Sequence, residues 1–280
     1  MRKDSPAWDL GGRLVLAMLL LSVALPVLWG LSLAFRSNEE IVRIGGLSPG
    51  TFVPAAFILD NFARLFQAVD LVRVIALTLF ICACVTGLSL LLNSFAAYAF
   101  ARMEFPGKRL LFGIVIATMI LPIEILIVPL YRVVKDLGLM NRLGSLILPF
   151  GATGFGIFFM RQFFAGVPRE LDEAAVIDGC GRAGIFFRIL LPLARTPLVT
   201  LGLIVFLQQW DSFLVPVTFI SKKEDMLLQV AINNLYAHIY FSDTALLFAA
   251  MVVGALPVIV LFISLQRYYI AGISSSGIKG

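Results

Sequence analysis

Long apolar stretches alternate with shorter polar segments along the whole chain. Each stretch is near or above the roughly 18 residues that indicate a membrane-spanning helix. We therefore predict an all-α integral membrane protein with six transmembrane helices, in which residues 1–280 form a single transmembrane domain with no separate soluble part. The predicted spans are about 14–35, 71–100, 110–131, 145–164, 197–219 and 245–266.

Composition supports this interpretation. Hydrophobic residues make up 60% of the chain and charged residues 14%, against about 45–50% and about 25% in soluble domains. The first stretch follows Arg2, Lys3 and Arg13 and could instead be a secretory signal. It is longer than the roughly 7–15 residues of a signal's apolar region and has no clear small-x-small cleavage site, so we predict an uncleaved span.

The distribution of basic residues predicts an orientation. With a cytoplasmic N-terminus, segments 1–13, 101–109, 161–196 and 267–280 lie inside and hold thirteen of the 22 Lys and Arg residues. Cytoplasmic loops of membrane proteins carry such an excess. We therefore predict that both termini are cytoplasmic and that residues 36–70 and 220–244 are outside. The net charge of +5 then follows from topology and gives no indication of nucleic-acid binding.

Residues for covalent or metal chemistry are scarce. His238 is the only histidine, and Cys82, Cys84 and Cys180 are expected to be free thiols. The phosphate-binding pattern Gly-x-x-x-x-Gly-Lys-Ser/Thr is absent from the sequence. We predict no catalytic residues, no metal site and no cofactor on this chain.

The segment 165–196 is a charged loop between two predicted spans. After Pro168, acidic residues occupy a predicted helix N-terminus, where the helix dipole favours them. Leu171, Ala174 and Ala175 follow helical spacing and predict one short apolar stripe for docking. Gly179 and Gly181 then predict a helix break. The pattern alone is also compatible with an amphipathic helix lying on the membrane surface.

The spacing in this loop resembles the loop of ABC-importer permeases that docks on the ATPase subunit. It contains Glu173-Ala174-Ala175, three residues, Gly179, nine residues, Ile189, one residue and Leu191-Pro192. The resemblance implies the type I importer fold with a cytoplasmic coupling helix. The coupling residues it implies are Glu170, Glu173, Ala174, Ala175, Asp178, Gly179, Ile189, Leu191 and Pro192.

Other segments are similar to carbohydrate permeases, in particular to the second permease subunit of maltose-type importers. They are Phe95-Ala-Ala-Tyr98-Ala-Phe-Ala-Arg102, Phe105-Pro-Gly-Lys108, Trp210-Asp-Ser-Phe-Leu-Val-Pro216, Gln266-Arg267-Tyr-Tyr and Gly277-Ile-Lys-Gly280. The similarity runs from about residue 58 to the end. Two positions depart from the family: Asp211 stands where Asn is usual, and Cys180 replaces a small residue.

The resemblance implies a permease in the bacterial inner membrane that imports a sugar or sugar-like solute by alternating access. Its implied partners are a second permease subunit, two ATPase subunits carrying ATP and Mg, and an extracytoplasmic substrate-binding protein. ATP hydrolysis would occur on the ATPase. The alternative is a secondary transporter or channel that works without an ATPase.

Polar residues inside two predicted spans are candidates for the substrate pathway. Glu124 lies in the third span, about 21 Å from its cytoplasmic end if the helix is straight, and Asp211 lies at a similar depth in the fifth. Gln208, Gln209 and Trp210 precede Asp211, and this mixture of amides, carboxylate and aromatic ring suits a sugar. Alternatively, these groups pack against the partner permease or one another. Ionisable residues at such depth are unfavourable in lipid, so either position would be interior.

The sequence does not identify the solute. Leu121-Pro-Ile-Glu124 and Arg161-Gln-Phe-Phe164 are similar to glycerol-3-phosphate-type permeases, but the same phrases occur in sugar permeases. The Ser- and Gly-rich tail 271–280 is expected either to reach the ATPase dimer or to form a disordered end.

Overall fold

Helices account for all the regular structure in the described residues 6–44, 49–239 and 243–276 of this computed structural model. The α-helices are α1 Pro6–Ala34, α2 Asn38–Ile44, α3 Asp60–Ala68, α4 Leu71–Arg102, α5 Lys108–Thr118, α6 Ile123–Asp136, α7 Gly144–Ile147, α8 Gly154–Gly166, α9 Glu170–Ile177, α10 Arg182–Gly184, α11 Leu191–Leu193, α12 Arg195–Trp210, α13 Leu214–Phe219, α14 Leu228–Ile239 and α15 Thr244–Ser276. Short 3₁₀ turns cover Pro49–Thr51, Leu148–Phe150 and Lys223–Asp225, and Ile185–Leu190 is π-helical.

Three helices are long and apolar enough to cross a membrane on their own: Gly11–Ala34 of α1, all of α4, and Thr244–Gln266 of α15. Helices suit this environment because each satisfies its own backbone hydrogen bonds. Three further candidates are pairs of consecutive helical segments with a sharp bend between them. They are α5 with α6 (a bend of 109°), Gly144–Phe150 with α8 (42°), and Arg182–Leu193 with α12 (77°). If each pair is one span, the total in the described residues is six.

The third apolar stretch is not the straight helix assumed from the sequence. α5 ends at Thr118, and α6 begins at Ile123 after a turn of 109°. Pro122 accounts for the break, because it has no N–H and disfavours helical geometry in the residue before it. The depth inferred for Glu124 from a straight helix is therefore wrong: Glu124 lies in the first turn of α6.

The fourth and fifth stretches are also interrupted. Stretch 145–164 consists of α7, a 3₁₀ turn and α8. Stretch 197–219 divides at residues 211–213 into α12 and α13. The sixth stretch lies within α15, which continues through Ser276, so the tail is helical up to that residue. Residues 277–280 lie outside the described part of the chain.

The described chain divides into two compact units. The first comprises Met1–Leu71 and Ala231–Pro257, and the second comprises Val72–Val230 and Val258–Gly280. The prediction of a single domain stays a prediction.

A buried arginine organises the first unit. The Arg36 guanidinium donates to Ser32 Oγ (2.9 Å), to Glu40 Oε1 (2.6 Å) and to the Gly50 carbonyl (2.7 Å). Asn61 Nδ2 donates to the Ala34 and Arg36 carbonyls at 2.9 and 2.8 Å. These bonds join α1 to α3 and the loop before it, and they satisfy a charge that would be costly to bury alone.

The second unit has a continuous hydrophobic core formed by α4, α6, α8, the loop 165–196 and α12. Phe186, from the π-helical segment, is buried within it. Its ring packs against Phe95 (5.0 Å between centroids), Tyr98 (5.1 Å) and Phe164 (6.3 Å). The aromatic cluster therefore fixes the loop 165–196 to α4 and α8.

Candidate functional site

The loop predicted to contact an ATPase forms the short helix α9, which begins two residues after Pro168. Glu170, Asp172 and Glu173 lie in its first turn, where negative charge is favoured. Glu170, Glu173 and Ala174 are exposed, and Ile177 is 86% exposed. Helical spacing places these four on one outward face, which the described residues leave exposed.

The predicted stripe of Leu171, Ala174 and Ala175 is not a single surface. Ala175 is only 5% exposed and belongs to the hydrophobic core, whereas Ala174 points outward. Sequence spacing identified the helix but not which side the core covers. The exposed apolar residues of α9 are Leu171, Ala174, Val176 and Ile177, and the motif did not single out the last two.

The end of α9 explains the glycine at position 179. Its φ is +80°, in the left-handed region that favours glycine. The Gly179 N–H donates to the Val176 carbonyl (3.0 Å), and the Cys180 N–H donates to the Ala175 carbonyl (2.8 Å). These two bonds form a Schellman cap, with exposed Asp178 as the cap residue. Gly181 instead has φ −74° and ψ 170°, an extended conformation open to any residue.

The last three motif residues lie after α9, in the π-helical segment and in α11. Ile189 and Leu191 are half-buried and pack against the core, and Pro192 is exposed in α11. Ile189 and Leu191 thus hold the loop in place and are not part of the outward face of α9.

A polar tether connects α9 to the end of α4. Arg102 Nε lies 3.3 Å from Asp172 Oδ2, with only 5% and 21% of the two side chains exposed. The Arg102 guanidinium also donates to the Val167 carbonyl (2.7 Å), and the Tyr98 hydroxyl donates to the Arg182 carbonyl (3.2 Å). The family-like segment Phe95–Arg102 contains both α4 residues, but its sequence did not indicate that they anchor this loop.

Four of the five pathway candidates line one cavity of about 810 Å³. They are Glu124, Gln208, Gln209 and Asp211. Among the described residues, the lining contains no Lys, Arg or His, so its formal charge comes from the two carboxylates. The fifth candidate, Trp210, is 1% exposed and stacks on Phe206 at 6.1 Å, so its ring is not available to a solute.

The cavity lies where helices end. Its wall includes Met119 and Leu121 from the α5–α6 break, Thr153 before α8, and Asp211, the C-cap residue of α12. Irregular backbone at membrane depth is tolerated where it is buried in protein or lines a water-filled cavity. A carboxylate at a helix C-terminus opposes the helix dipole, so Asp211 is not explained by helix stability.

Thr153 and Asn93 shape this wall and were missed from the sequence. Thr153 Oγ1 caps α8 by accepting from the Gly156 N–H (3.0 Å), and the Thr153 N–H donates to Asn93 Oδ1 (2.9 Å). A Cβ on Gly156 would lie 2.2 Å from Asn93 Nδ2, so the close approach of α8 to α4 requires glycine. The run Gly151-Ala-Thr-Gly-Phe-Gly156, with a cap residue between glycines, was the available signal.

The described residues hold no cluster of three or more His, Cys, Asp or Glu side chains suited to a metal ion. Cys82, Cys84 and Cys180 are free thiols.

The comparison with known families decides the identity. Residues 89–275 match the family described as the binding-protein-dependent transport system inner membrane component. The chain belongs to this family. It is therefore a multi-pass transport permease of the inner membrane, not a catalytic subunit, and the family description implies that it works with a binding protein.

Curated relatives cover nearly the whole chain. The arabinooligosaccharides transport system permease protein AraQ of Halalkalibacterium halodurans is 33% identical, covering 100% of this chain and 99% of its own. The trehalose transport system permease protein SugB of Mycobacterium tuberculosis is 31% identical, covering 91% and 92%.

A solved structure has the same fold. It is that of a bacterial ABC transporter involved in the import of the acidic polysaccharide alginate, and the match has a TM-score of 0.82 at 20% identity. It covers 96% of this chain and 99% of that one. The predicted all-helical importer permease fold is confirmed.

Proposed function

We propose that this permease subunit passes an uncharged sugar from an extracytoplasmic binding protein to the cytoplasm, driven by ATP hydrolysis on a partner subunit. The cavity between broken helices, lined by carboxylates and amides, is the observation that carries the proposal. Discontinuous helices near the middle of the membrane form substrate sites in many transporters. The carbohydrate cargoes named for AraQ and SugB support a carbohydrate as the solute, and its neutrality is inferred from the cavity lining alone.

The cavity chemistry favours a neutral solute. Side-chain amides and carboxylates hydrogen-bond sugar hydroxyls, because between them they supply donors and acceptors. Glu124 and Asp211 would repel a phosphate, sulfonate or uronate, and the described lining supplies no cation to offset them. Glycerol-3-phosphate is therefore a poor candidate, despite the similarity of two short segments to permeases of that type.

Coupling to ATP would occur through α9. Its outward face, with Glu173, Ala174 and Ile177, suits a groove on an ATPase subunit, and its inner side is attached to α4 by Arg102 and Asp172. A movement of α9 would therefore reach α4 and α8 through the tether and the Phe186 cluster. The permease performs no covalent chemistry in this scheme.

The assembly would contain a second permease subunit, two ATPase subunits that bind ATP and Mg, and the binding protein. Both termini and the loop 165–196 would be cytoplasmic, and residues 36–70 and 220–244 extracytoplasmic. The excess of Lys and Arg on one side supports this orientation.

Purification of the tagged permease from its native membrane tests the proposal. We expect an ATPase subunit to copurify, and the reconstituted complex to hydrolyse ATP faster when binding protein and a neutral oligosaccharide are added together. A permease that purifies without an ATPase and transports down an ion gradient would instead be a secondary transporter. Stimulation by phosphorylated sugars but not neutral ones would contradict the substrate class while leaving the importer function intact.

A further inference from the structure

A second cavity, of about 650 Å³, lies beside the end of α4 and away from the substrate cavity. Three basic residues line it: Lys108 and Arg109 at the start of α5, and Arg161 on α8. The acidic lining residue is Glu104, and Phe100, Phe105 and Phe112 complete most of the wall. We propose that this basic cavity, which neither the transport nor the coupling role uses, binds the headgroup of an anionic phospholipid.

Two of the three cations, Lys108 and Arg161, are held in place, and the three are only partly neutralised. Lys108 Nζ donates to the Met103 carbonyl (2.7 Å) and lies 3.1 Å from Glu104 Oε1. The Arg161 guanidinium lies over the Phe112 ring, 4.2 Å from its centroid, and donates to the Phe100 carbonyl (3.4 Å). Among the described residues, neither Arg109 nor Arg161 has a carboxylate within ion-pair distance.

The α5 backbone adds to the positive potential. α5 begins after Gly107, whose φ is +75°, and no side chain caps its first turn. The first backbone N–H groups of a helix have no partner within the helix and attract anions such as phosphate. Lys108, Arg109 and Leu110 of this first turn line the cavity, although the Lys108 N–H donates to the Phe105 carbonyl (3.4 Å).

The adjoining apolar surface favours a lipid over a free phosphate. Leu110 lines the cavity, and Ile114 follows it one turn later; both side chains are exposed. Because α5 belongs to a candidate span, this stripe leads from the headgroup cavity along a helix in the membrane. Acyl chains could pack along Leu110 and Ile114 while the phosphate remains with the cations. Basic pockets between transmembrane helices at the membrane surface are known to bind anionic headgroups.

The cavity also has a defined position relative to the coupling loop. Phe100 lies two residues before Arg102, which binds Asp172 of α9. The proposed lipid site is therefore at the same end of α4 as the loop, and it does not depend on which sugar is transported.

Lipid retention by the intact purified complex tests this site. The complex is placed in nanodiscs of phosphatidylcholine doped with phosphatidylglycerol, and bound phosphatidylglycerol is counted by native mass spectrometry after release into detergent. We expect the wild type to retain phosphatidylglycerol over phosphatidylcholine. Arg109→Gln and Arg161→Gln should each weaken this preference by about fivefold, from the contribution of one cation near an anionic surface.

Matched controls distinguish the loss of a cation in the cavity from the loss of a cation elsewhere and from a folding defect. Arg132→Gln with Arg142→Gln removes two cations outside the cavity and should leave retention unchanged. Arg109→Lys should retain most of the binding, and Arg109→Gln changes an exposed side chain, so loss of binding there is not a folding defect.

Three results would overturn the proposal. The first is equal retention by the wild type and the cavity variants. The second is displacement of the lipid by free glycerol phosphate at comparable concentration, which would indicate a soluble phosphate ligand. The third is loss of the ATPase subunit from the cavity variants with lipid retention unchanged, which would indicate a protein-docking surface.

Discussion

At the residue scale, two glycines in the loop 165–196 differ in whether their backbone conformation favours glycine. Gly179 has φ +80°, whereas Gly181 has an extended backbone, and a Cβ at either position would meet no atom within 4 Å. The effect of a substitution at these two glycines should therefore depend on backbone conformation alone, since both positions have room for a Cβ.

We predict that Gly179→Ala destabilises the cap of α9 by about 1–2 kcal/mol, the usual cost of the left-handed conformation in an L-residue. Gly181→Ala should be nearly neutral. Gly179→Asn should cost less than Gly179→Ala, because Asn adopts this conformation more readily. Sugar-stimulated ATP hydrolysis by the purified complex measures the effect, and equal activity of the two alanine variants would contradict it.

A second prediction at the residue scale concerns substitutions at Asp211. Asp211→Asn keeps the size of the side chain but removes its charge and replaces one acceptor oxygen with an NH2 donor, so the complex should assemble and its apparent affinity for the solute should change. Asp211→Leu should impair transport, because it replaces one of the two carboxylates of the cavity lining with an apolar side chain. Uptake of labelled sugar in proteoliposomes checks both variants, and equal transport by wild type, Asn and Leu forms would mean that the side chain has no role.

At the residue scale, the sequence indicated a feature that backbone chemistry decides but not the features that packing decides, and the functional roles assigned to the site residues stay predictions. Gly179 was recognised because a glycine after a helical pattern marks a C-terminal cap. Trp210 and Ala175 were assigned to functional surfaces, but both are covered by neighbouring helices. Helical periodicity shows which residues share a face and does not show which face the rest of the molecule covers.

At the element scale, α9 is attached to α4 by a largely buried ion pair, with 5% of the Arg102 side chain and 21% of the Asp172 side chain exposed. Loss of one partner should be costly, because it leaves the other charge buried without compensation. Arg102 and Asp172 also connect α9, the helix proposed to contact the ATPase, to a helix long and apolar enough to span the membrane.

We predict that Arg102→Gln and Asp172→Asn are coupled, with an interaction free energy of about 0.5–3 kcal/mol in a double-mutant cycle of complex stability. The exposed pair Arg132–Asp136, at 3.0 Å, should show at most about 0.5 kcal/mol. Either tether variant should also raise ATP hydrolysis without sugar relative to hydrolysis with sugar. Additive effects at both pairs would show that the tether is not an energetic link.

The apolar stretches were largely predictable from the sequence, but the helix breaks within them were not. Residue hydrophobicity located the apolar stretches because every span must be apolar over its length. The same composition continues through Pro122 and through residues 211–213, so hydropathy could not reveal the bends. Pro122 and Pro129 both suggested distortion, yet the chain turns by 109° before Pro122 while Pro129 lies inside α6.

At the scale of the whole molecule, the orientation in the membrane is a prediction from charge. In a variant without Cys82, Cys84 and Cys180, single cysteines at Val53 and Glu224 should react with an impermeant thiol reagent in intact cells. A cysteine at Leu193 should react only after the membrane is permeabilised. All three side chains are exposed in the structure, so a difference in labelling reports the side of the membrane. Labelling of Leu193→Cys but not of Val53→Cys in intact cells would reverse the topology.

The central claim is that the outward face of α9 contacts an ATPase, and site-specific photocrosslinking in native membranes tests it most directly. A photoreactive amino acid is placed at Ile177, which is 86% exposed on that face, and in a separate variant at Val128 of α6, which is 74% exposed. Ile177 should form a crosslink to a subunit that binds ATP, and Val128 should not. Absence of that crosslink from Ile177 in a complex that still transports sugar, or an equal yield from both positions, would contradict the account.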